Sequence, residues 1–331
     1  MKPLLTVCVT TYNQALYIQQ TMDSILAQDT DYDIEILVHD DCSIDGTTEI
    51  LKEYETSYPN KVKVFYEKEN QWGKNKYKGG YNRGLLVPNA RGKYIAICEG
   101  DDYWIDAHKL QKQVGYLESH EDVSFCCHAA AVLDGTSGEL LGSMNMGDYE
   151  HDLSTSELIR CWNVPTASWV YRKGVLDTLD DDWPFSKPVG DFPSVLYASL
   201  KGLVHYFPEE MSVYRYRSLG SWTSSLNSMS SELNNARMWV AMYEGIDKAT
   251  HENWHQDFVY AAKEYTKKIV EYYYTDSEAE LSTLDLEARR LFSLKDDIKI
   301  LIKRLVHKAG YEIVPAGYGV KLRHHIVKIE H

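Results

Sequence analysis

The chain has 331 residues, enough for one large α/β domain with additional elements. Its formal net charge is -14 and its pI is about 5.3, which argues against a nucleic-acid partner held through phosphate contacts. The six cysteines show no CxxC spacing, so we expect reduced thiols in a cytoplasmic protein rather than a disulfide framework.

The distribution of apolar residues gives no sign of a secreted or membrane-spanning chain. The N-terminal apolar run is too short for a signal-peptide core and passes directly into polar residues 10–13. No run approaches the roughly 20 apolar residues that a spanning helix needs. The expected location is therefore the cytoplasm, with the inner face of the cell membrane as the alternative.

Strand-like apolar runs alternate with helical spacing over the first 133 residues. One helix is indicated by Ile18, Met22, Ile25 and Leu26, which share a face and follow Asn13 as a plausible N-cap. The expected strands are Leu4–Val9, Ile34–Val38, Val62–Tyr66, Tyr94–Cys98 and Val123–Leu133. The alternation predicts an α/β fold with a mostly parallel central sheet and helices on both faces.

Polar clusters follow three of these strands, at residues 10–13, 40–41 and 99–102. Ligands bind off the carboxyl ends of the strands in such sheets, so the clusters are expected to meet on one rim. Clustered carboxylates suit a divalent cation that also touches phosphate oxygens. The alternative for residues 99–102 is a solvated turn with acidic caps.

The pattern becomes irregular after Asp134 and changes charge near the C-terminus. Strands are expected at 167–171, 203–207 and 211–217, and helices from residue 231 onward. Residues 295–331 carry eight Lys/Arg and four Asp/Glu. Their apolar stripe (Ile298, Leu301, Ile302, Leu305) indicates a basic amphipathic helix. Such a helix lies either on an anionic membrane or against the protein core with its basic face in solvent.

Four motifs in chain order carry a resemblance to a known family. They are Val9–Asn13, Val38–Thr47, Gly92–Ala96 running into Glu99–Asp102, and Gly190–Asp191. With them the chain resembles a family 2 glycosyltransferase of the GT-A fold, over roughly residues 4–225. The resemblance implies a GT-A domain at 1–225, with a nucleotide-binding half (1–105) and an acceptor half (106–225). Residues 226–331 then form a helical C-terminal region with a basic amphipathic end.

The resemblance also implies which residues bind a UDP-sugar donor. Thr10, Thr11, Tyr12 and Asn13 would hold the nucleotide together with Asp41. A carboxylate at Asp41 is suited to accept the N3–H of uracil, and the ring of Tyr12 could stack on the base.

Glu99, Gly100 and Asp101 occupy the place of the family's DxD motif, with Glu99 toward the ribose. Gly100 would let the backbone approach the diphosphate. Asp101 is the implied metal ligand and Asp102 the close alternative. The implied cofactor, Mn²⁺ or Mg²⁺, would stabilise the departing diphosphate.

Three further residues take roles by the same resemblance. Asp191 matches the catalytic base of an inverting reaction, although by local sequence it could equally be a helix N-cap. Arg217 stands where relatives often carry a histidine, and it could pair with phosphate instead. Trp222 is assigned to an acceptor wall.

The sequence thus predicts an inverting, metal-dependent hexosyl- or N-acetylhexosaminyl-transferase. Its acceptor would be a saccharide or a lipid-linked glycan of surface polysaccharide biosynthesis, and a homo-oligomer is a further expectation. A sugar nucleotidyltransferase is the first alternative, but residues 10–14 lack the glycines of its phosphate loop. A non-catalytic nucleotide-sugar-binding scaffold protein is the second.

Overall fold

The computed structural model describes residues 4–72, 74, 80–177, 183, 190–221, 223–226, 228–273, 281–308, 311–316 and 323–328. The chain divides into two compact units. The sheet unit consists of Met1–Thr155, Asn163–Asp180 and Ser194–Ser224. The helical unit consists of Ser156–Trp162, Asp181–Pro193 and Ser225–His331.

Ten strands of the sheet unit form one mixed sheet, in the order β3-β2-β1-β4-β9-β6-β10-β5, with β7 on β6 and β8 on β10. The strands are β1 (Leu5–Thr11), β2 (Ile34–Asp40), β3 (Val62–Tyr66), β4 (Tyr94–Glu99), β5 (Tyr103–Trp104), β6 (Val123–Asp134), β7 (Leu140–Met144), β8 (His151–Leu153), β9 (Val170–Arg172) and β10 (Leu203–Tyr216). The long strands pair in parallel, β3-β2-β1-β4 and β6-β10, whereas the short ones pair antiparallel. The predicted α/β class with a mostly parallel central sheet is confirmed.

Alternating apolar residues of the first strands build the core of the sheet unit. Leu5, Val7 and Val9 of β1 are fully buried. They belong to one cluster with Ile18, Met22 and Ile25 of the first helix, which are also buried. The periods of two and 3.6 residues in the sequence therefore mark the packed faces correctly.

The helices of the first 200 residues lie largely where helical spacing predicts them. They are α1 (Ile18–Leu26), α2 (Thr47–Ser57), α3 (Val87–Asn89, preceded by a π-helical turn at Asn82–Leu86), α4 (Lys109–Ser119), α5 (Thr155–Arg160), α6 (Lys173–Asp177) and α7 (Asp191–Ser199). Asn13 is not the N-cap of α1, because that helix begins at Ile18 and its cap position is Tyr17.

Two strand predictions need correction. The segments expected at 203–207 and 211–217 form one strand, β10, whose register against β6 shifts between Phe207 and Ser212. The bulge interrupts the alternation of inward- and outward-facing residues in β10. The sequence pattern therefore looks like that of two separate strands. Residues 167–171 begin with a 3₁₀ turn, Thr166–Ser168, before the short strand β9.

The helical unit contains four long or medium helices and, contrary to the sequence prediction, a β-hairpin. The helices are α8 (Met229–Ala249), α9 (His255–Tyr273), α10 (Thr283–Arg289) and α11 (Leu294–Lys308). The antiparallel strands β11 (Tyr311–Ala316) and β12 (Arg323–Lys328) follow. The region predicted as helical at 226–331 thus also contains two strands, in segments whose sequences include the β-branched pairs 313–314 and 326–327.

Within the described part of the chain, no helix is both long enough and apolar enough to cross a membrane. All six cysteines are unpaired, as their spacing predicts.

Candidate active site

The acidic segment after β4 forms a tight turn at the carboxyl end of the sheet. The turn closes through a hydrogen bond from the Asp102 N–H to the Glu99 carbonyl, 3.0 Å. Thr21 of α1 fixes it from below, because its hydroxyl donates to the carbonyls of Gly100 and Asp102 at 2.9 and 2.6 Å. The backbone of the turn that carries the two aspartates is therefore fixed independently of their side chains.

Gly100 is explained by close packing at this turn. A Cβ atom there would lie 2.8 Å from the Thr11 Cβ and would also collide with the Gln14 side chain. Only glycine lets the turn approach the loop after β1, which the Gly100 N–H also reaches through a 2.9 Å bond to the Thr10 carbonyl. A contact of Gly100 with a diphosphate stays a prediction.

Asp101 is a nearly buried carboxylate, 9% exposed. It accepts a short hydrogen bond from the hydroxyl of Ser218. Burial raises the pKa of Asp101, and the hydrogen bonds from Ser218 and Gln14 together with the charge of Arg215 offset this only in part. The neighbouring groups of the protein therefore compensate only part of the cost of burying this carboxylate as an anion.

Asp102 is more deeply buried than Asp101. It is 1% exposed, and its Oδ1 accepts the Arg215 N–H at 2.9 Å. Its Oδ2 is buried without a hydrogen-bond partner. Burial raises the pKa of Asp102 well above its usual range, and the neighbouring charge of Asp101 raises it further.

Arg215 braces the acidic turn from strand β10. Its guanidinium donates to the Asp101 carbonyl and lies over the rings of Tyr17 and Tyr103, 4.9 and 4.5 Å from their centroids. Since the side chain is buried and these bonds occupy it, Arg215 stabilises the turn.

The loops after β1 and β2 are bonded to each other. The Asn13 N–H donates to the Ser43 hydroxyl, and the Asn13 Oδ1 accepts the Ile44 N–H, both at 2.9 Å. Asn13 adopts a left-handed conformation, φ 51°, to make both bonds. Next to it, Tyr12 is 38% exposed, which leaves its ring accessible to a stacking ligand.

Asp41 is more enclosed than its predicted role suggests. It is 2% exposed, with Oδ1 accepting the Gln71 N–H at 2.8 Å and Oδ2 accepting the Tyr81 hydroxyl at 2.7 Å. Each carboxylate oxygen has a second lone pair, so contact with a base stays a prediction.

The other carboxylates of the β2 loop have structural partners. Asp40 accepts bonds from the Ser43 N–H and the Thr48 hydroxyl. Asp45 accepts bonds from the Ala15 and Thr47 N–H groups. Both order the loop that leads into α2.

Arg217 is exposed, next to Ser218, in a left-handed conformation with φ 57°. Its N–H donates to the Thr223 hydroxyl, and its guanidinium lies 5.3 Å from the centroid of the Tyr216 ring. The charge of Arg217 also contributes to lowering the pKa of Asp134, after the hydrogen bonds from Ser137 and Thr136. The predicted acceptor residue, Trp222, lies outside the described residues.

Asp191 is the first residue of α7 and is half-buried. A carboxylate at a helix N-terminus is favoured by the helix dipole. The position of Asp191 at the start of α7 is therefore compatible both with a role at the helix N-terminus and with a catalytic role. Asp191 belongs to the helical unit, whereas Asp41 and Asp101 belong to the sheet unit.

The carboxylates of the acidic turn suit a divalent cation that needs few protein ligands, such as Mg²⁺ or Mn²⁺. Among the described residues no group of three or more His, Cys, Asp or Glu side chains converges on a metal position. Mg²⁺ and Mn²⁺ do not require such a cage, since they commonly use one or two carboxylates and complete their shell with phosphate oxygens and water. Asp101 and Asp102 are the two adjacent aspartate carboxylates that this turn offers for such a site.

Sequence reasoning missed the residues that organise these carboxylates, namely Gln14, Thr21, Tyr81, Arg215 and Ser218. Their contacts join segments up to 117 positions apart, so no local pattern reveals them. Arg215 alone left a signal, since it continues the inward-facing alternation of Met211 and Val213 in β10.

Comparison with known proteins adds three findings on sequence. Residues 6–180 match the family model of glycosyl transferase family 2. An uncharacterised protein of Mycobacterium tuberculosis is 34% identical over 217 residues, 65% of this chain and 59% of that protein. A Bacillus subtilis protein, TuaG, whose provisional description is teichuronic acid biosynthesis glycosyltransferase, is 34% identical over 136 residues, 41% of this chain and 50% of that protein. The match thus spans well under two thirds of these relatives.

Solved structures share the fold. The crystal structure of Staphylococcus aureus TarS 1–349 with UDP-GlcNAc has a TM-score of 0.54 at 18% identity, with 100% of both chains covered. The mannosyltransferase PcManGT from Pyrobaculum calidifontis, in complex with GDP-Man and Mn²⁺, has a TM-score of 0.51 at 17% identity, with 93% of this chain and 88% of that one covered. The matched sequence region contains the β1 loop, Asp41 and the acidic turn. The chain belongs to glycosyl transferase family 2.

Proposed function

We propose that the chain is an inverting glycosyltransferase that moves a sugar from a UDP-sugar to a hydroxyl group of a saccharide or lipid-linked glycan. The carrying observation is the acidic turn at the carboxyl end of β4, where Asp101 is nearly buried without enough cationic partners. A carboxylate in this condition gains most from a cation that a diphosphate brings with it.

The nucleotide is held at the same edge of the sheet. Tyr12 offers an accessible ring for the base. Asp41, kept in place by Gln71 and Tyr81, offers a fixed acceptor for the N3–H of uracil. Thr10, Thr11 and Glu99 lie beside them, since Thr10 is paired with Glu99 in the β1–β4 register.

Asp101 would hold Mn²⁺ or Mg²⁺, which would supply positive charge to the departing diphosphate. Asp191 accepts the proton of the acceptor hydroxyl while that oxygen attacks the anomeric carbon. The bond from this carbon to the diphosphate oxygen breaks at the same time, and its electron pair leaves with UDP. One in-line displacement inverts the anomeric configuration and needs no covalent enzyme intermediate. In this proposal Arg217, exposed beside Ser218, meets the diphosphate as a cation.

The place of this reaction in surface polysaccharide assembly is supported by the teichuronic acid relative. The choice of donors to test follows the two structural neighbours, which bind UDP-GlcNAc and GDP-Man.

The test is nucleotide release from UDP-GlcNAc, UDP-glucose and GDP-mannose with Mn²⁺, water serving as the acceptor when no saccharide is added. We expect UDP release that Asp191→Asn reduces by at least about 1,000-fold, because the general base is lost, with UDP affinity retained. Pyrophosphate formation would indicate a nucleotidyltransferase. Binding without release for every donor would indicate a scaffold protein, and an active Asp191→Asn variant would place the base elsewhere.

We also propose that α11 binds an anionic lipid surface, where lipid-linked acceptors reside. The helix carries an exposed apolar stripe of five aliphatic side chains, from Leu294, 77% exposed, to Leu305, 58% exposed. The members of the stripe are Leu294, Ile298, Leu301, Ile302 and Leu305. Of the two orientations that the sequence allows, exposure of the stripe favours the lipid surface, since Ile300, outside the stripe, is the buried residue.

The charges beside the stripe suit anionic lipid. Lys295 and Lys299 are exposed next to it, whereas Asp296 and Asp297 pair with Lys263 and Arg289. The helix thus presents cations around an apolar face in a chain of net charge -14.

Sedimentation with phosphatidylglycerol vesicles tests this surface. We expect Leu301→Glu/Leu305→Glu to lose binding, and Leu286→Glu, an exposed leucine in α10 outside the stripe, to retain it. Equal binding by both variants would contradict the lipid surface. If wild type forms a dimer and does not bind vesicles, and only Leu301→Glu/Leu305→Glu is monomeric, a second copy of the chain covers the stripe.

A further inference from the structure

The residue that follows Asp191 is the centre of an aromatic cluster in the helical unit. Phe192 is fully buried. Its ring packs edge-on against Trp162, 5.3 Å between centroids, and against Tyr243, 5.4 Å, and it lies 5.9 Å from Trp239. Trp239 and Tyr243 belong to α8, so the C-terminal helices supply two of the three partners.

The segment around Phe192 is also fixed through its backbone. The indole N–H of Trp183 donates to the Pro193 carbonyl at 3.2 Å. The two residues after Asp191 are therefore both fixed: the Phe192 side chain lies in the aromatic cluster, and the Pro193 carbonyl accepts the Trp183 hydrogen bond. Two consecutive anchored residues leave little freedom to the peptide that carries the Asp191 side chain.

The Trp162 wall of the cluster is secured independently. Its segment, Ser156–Trp162, is tied to α9, where Asp257 accepts hydrogen bonds from the Ser156 hydroxyl at 2.6 Å and from Arg160. The Arg160 guanidinium also lies 4.9 Å from the centroid of the Tyr260 ring. Two short segments that interrupt the sheet unit in sequence, 156–162 and 181–193, thus belong to the helical unit.

We infer that the aromatic cluster around Phe192 positions the proposed base Asp191, and that this is a function of the C-terminal helices in the reaction. The inference rests on the proposed function, since it needs Asp191 to be the base. Phe192 is a positioning residue: it acts through the aspartate beside it and touches no reacting atom. A small displacement of a reacting group is enough to lower a rate about 100-fold.

Phe258 provides a matched control. It is a second phenylalanine of the helical unit, fully buried like Phe192. Its ring contacts Tyr243, 5.9 Å between centroids. Leucine at either position removes one buried ring from the same cluster, but only Phe192 adjoins Asp191. Both leucine variants should therefore lose a similar amount of activity through reduced stability. Only Phe192→Leu should lose further activity through displacement of Asp191.

The experiment measures steady-state nucleotide release by the full chain, with UDP-GlcNAc, UDP-glucose or GDP-mannose, whichever the wild type turns over. We expect Phe192→Leu to lower kcat about 10- to 100-fold with the KM for the donor unchanged, and Phe258→Leu to lower kcat less than about twofold. Trp183→Phe, which removes only the donor to Pro193, should lower kcat by a few-fold and is the milder variant should Phe192→Leu fail to fold.

A double variant distinguishes a role of Phe192 in positioning Asp191 from a role in stability alone. In an Asp191→Asn background, Phe192→Leu should change the residual rate by less than about twofold, because both changes remove the same base. Equal effects of Phe192→Leu and Phe258→Leu, or additive effects in the double variant, would overturn the positioning role and leave the proposed base intact. An active Asp191→Asn variant would instead overturn the proposed base.

Discussion

Two buried acidic sites lie at opposite ends of the same parallel strands, and their partners differ. At the amino end, Glu35 accepts the Thr6 hydroxyl, the Arg91 N–H and the Arg91 Nε–H, each at 2.6 Å. Burial alone would raise the pKa of Glu35, but the hydrogen bonds from Thr6 and Arg91 lower it below its usual value. At the carboxyl end, the effect of burial on Asp101 exceeds that of its hydrogen bonds and of the Arg215 charge, so the pKa of Asp101 is raised.

The difference teaches which carboxylate is structural. Glu35 is complete within the protein, because an adjacent arginine and three donors stabilise its charge. Asp101 has a hydroxyl, an amide and a guanidinium near it, which do not compensate for its burial. Under the proposed function, a cation brought by a diphosphate would supply the positive charge that the Asp101 site lacks.

The largest expected effect is on the incomplete site. Asp101→Asn should weaken Mn²⁺-dependent UDP binding by about 100-fold, since the anionic ligand is lost. The free energy of unfolding without metal should not fall, because the buried charge disappears with it. Thermal stabilisation by UDP plus Mn²⁺ measures the first effect and urea unfolding the second. Unchanged stabilisation would show that Asp101 does not hold the cation.

The complete site should respond in the opposite way. Glu35→Gln should lower the free energy of unfolding by about 1–3 kcal/mol, because charge-assisted hydrogen bonds are replaced by neutral ones. UDP affinity should stay within about twofold of wild type, since Glu35 lies at the far end of the strands. Urea unfolding and calorimetric titration of one preparation measure both. A large loss of UDP affinity would contradict the division between the two sites.

A smaller effect is expected at a partner of Asp101. Ser218→Ala removes the hydroxyl that donates to this carboxylate and should weaken Mn²⁺-dependent UDP binding by about tenfold. Ser212→Ala in β10, the strand that precedes Ser218, is the matched control, because the buried Ser212 hydroxyl has no hydrogen-bond partner. Equal affinities of the two variants would show that Ser218 does not orient Asp101.

The smallest effect is a pH dependence. The pKa of Glu35 is lower in the folded than in the unfolded chain, so its stabilisation is present above the unfolded value, about 4.3. This contribution is lost as the pH falls through the folded value. Urea unfolding from pH 6 to pH 3 should therefore show a steeper loss for wild type than for Glu35→Gln. Parallel curves would contradict the assignment of that loss to Glu35.

The sequence predicts the strands and the rim of this sheet well because apolar runs and polar strand ends are local features. β1, β2 and β4 place the Thr10, Asp41 and Asp101 segments on one edge, as their order in the chain implies. The sequence does not reveal that the Asp102 carboxylate accepts a backbone N–H of β10, whereas the Asp101 carboxylate accepts the Ser218 hydroxyl. That outcome depends on the Arg215 N–H, 113 positions away.

Two other features escaped prediction for similar reasons. The stripe of α11 is evident in the sequence, but its side of exposure depends on what packs against Ile300. The aromatic cluster of Phe192 joins residues 162, 192, 239 and 243 from three separate segments, so each aromatic looks like an ordinary core residue when the sequence is read alone. Long-range packing, and not local propensity, decides both.

The most direct test of the central claim is calorimetric titration of wild-type protein with UDP, once with Mn²⁺ and once with EDTA. If the carboxyl end of the sheet binds a nucleoside diphosphate through a cation at Asp101, affinity should fall by about 100-fold in EDTA, to the level that Asp101→Asn shows with Mn²⁺. Equal affinity with and without the cation, in wild type and variant alike, would contradict it.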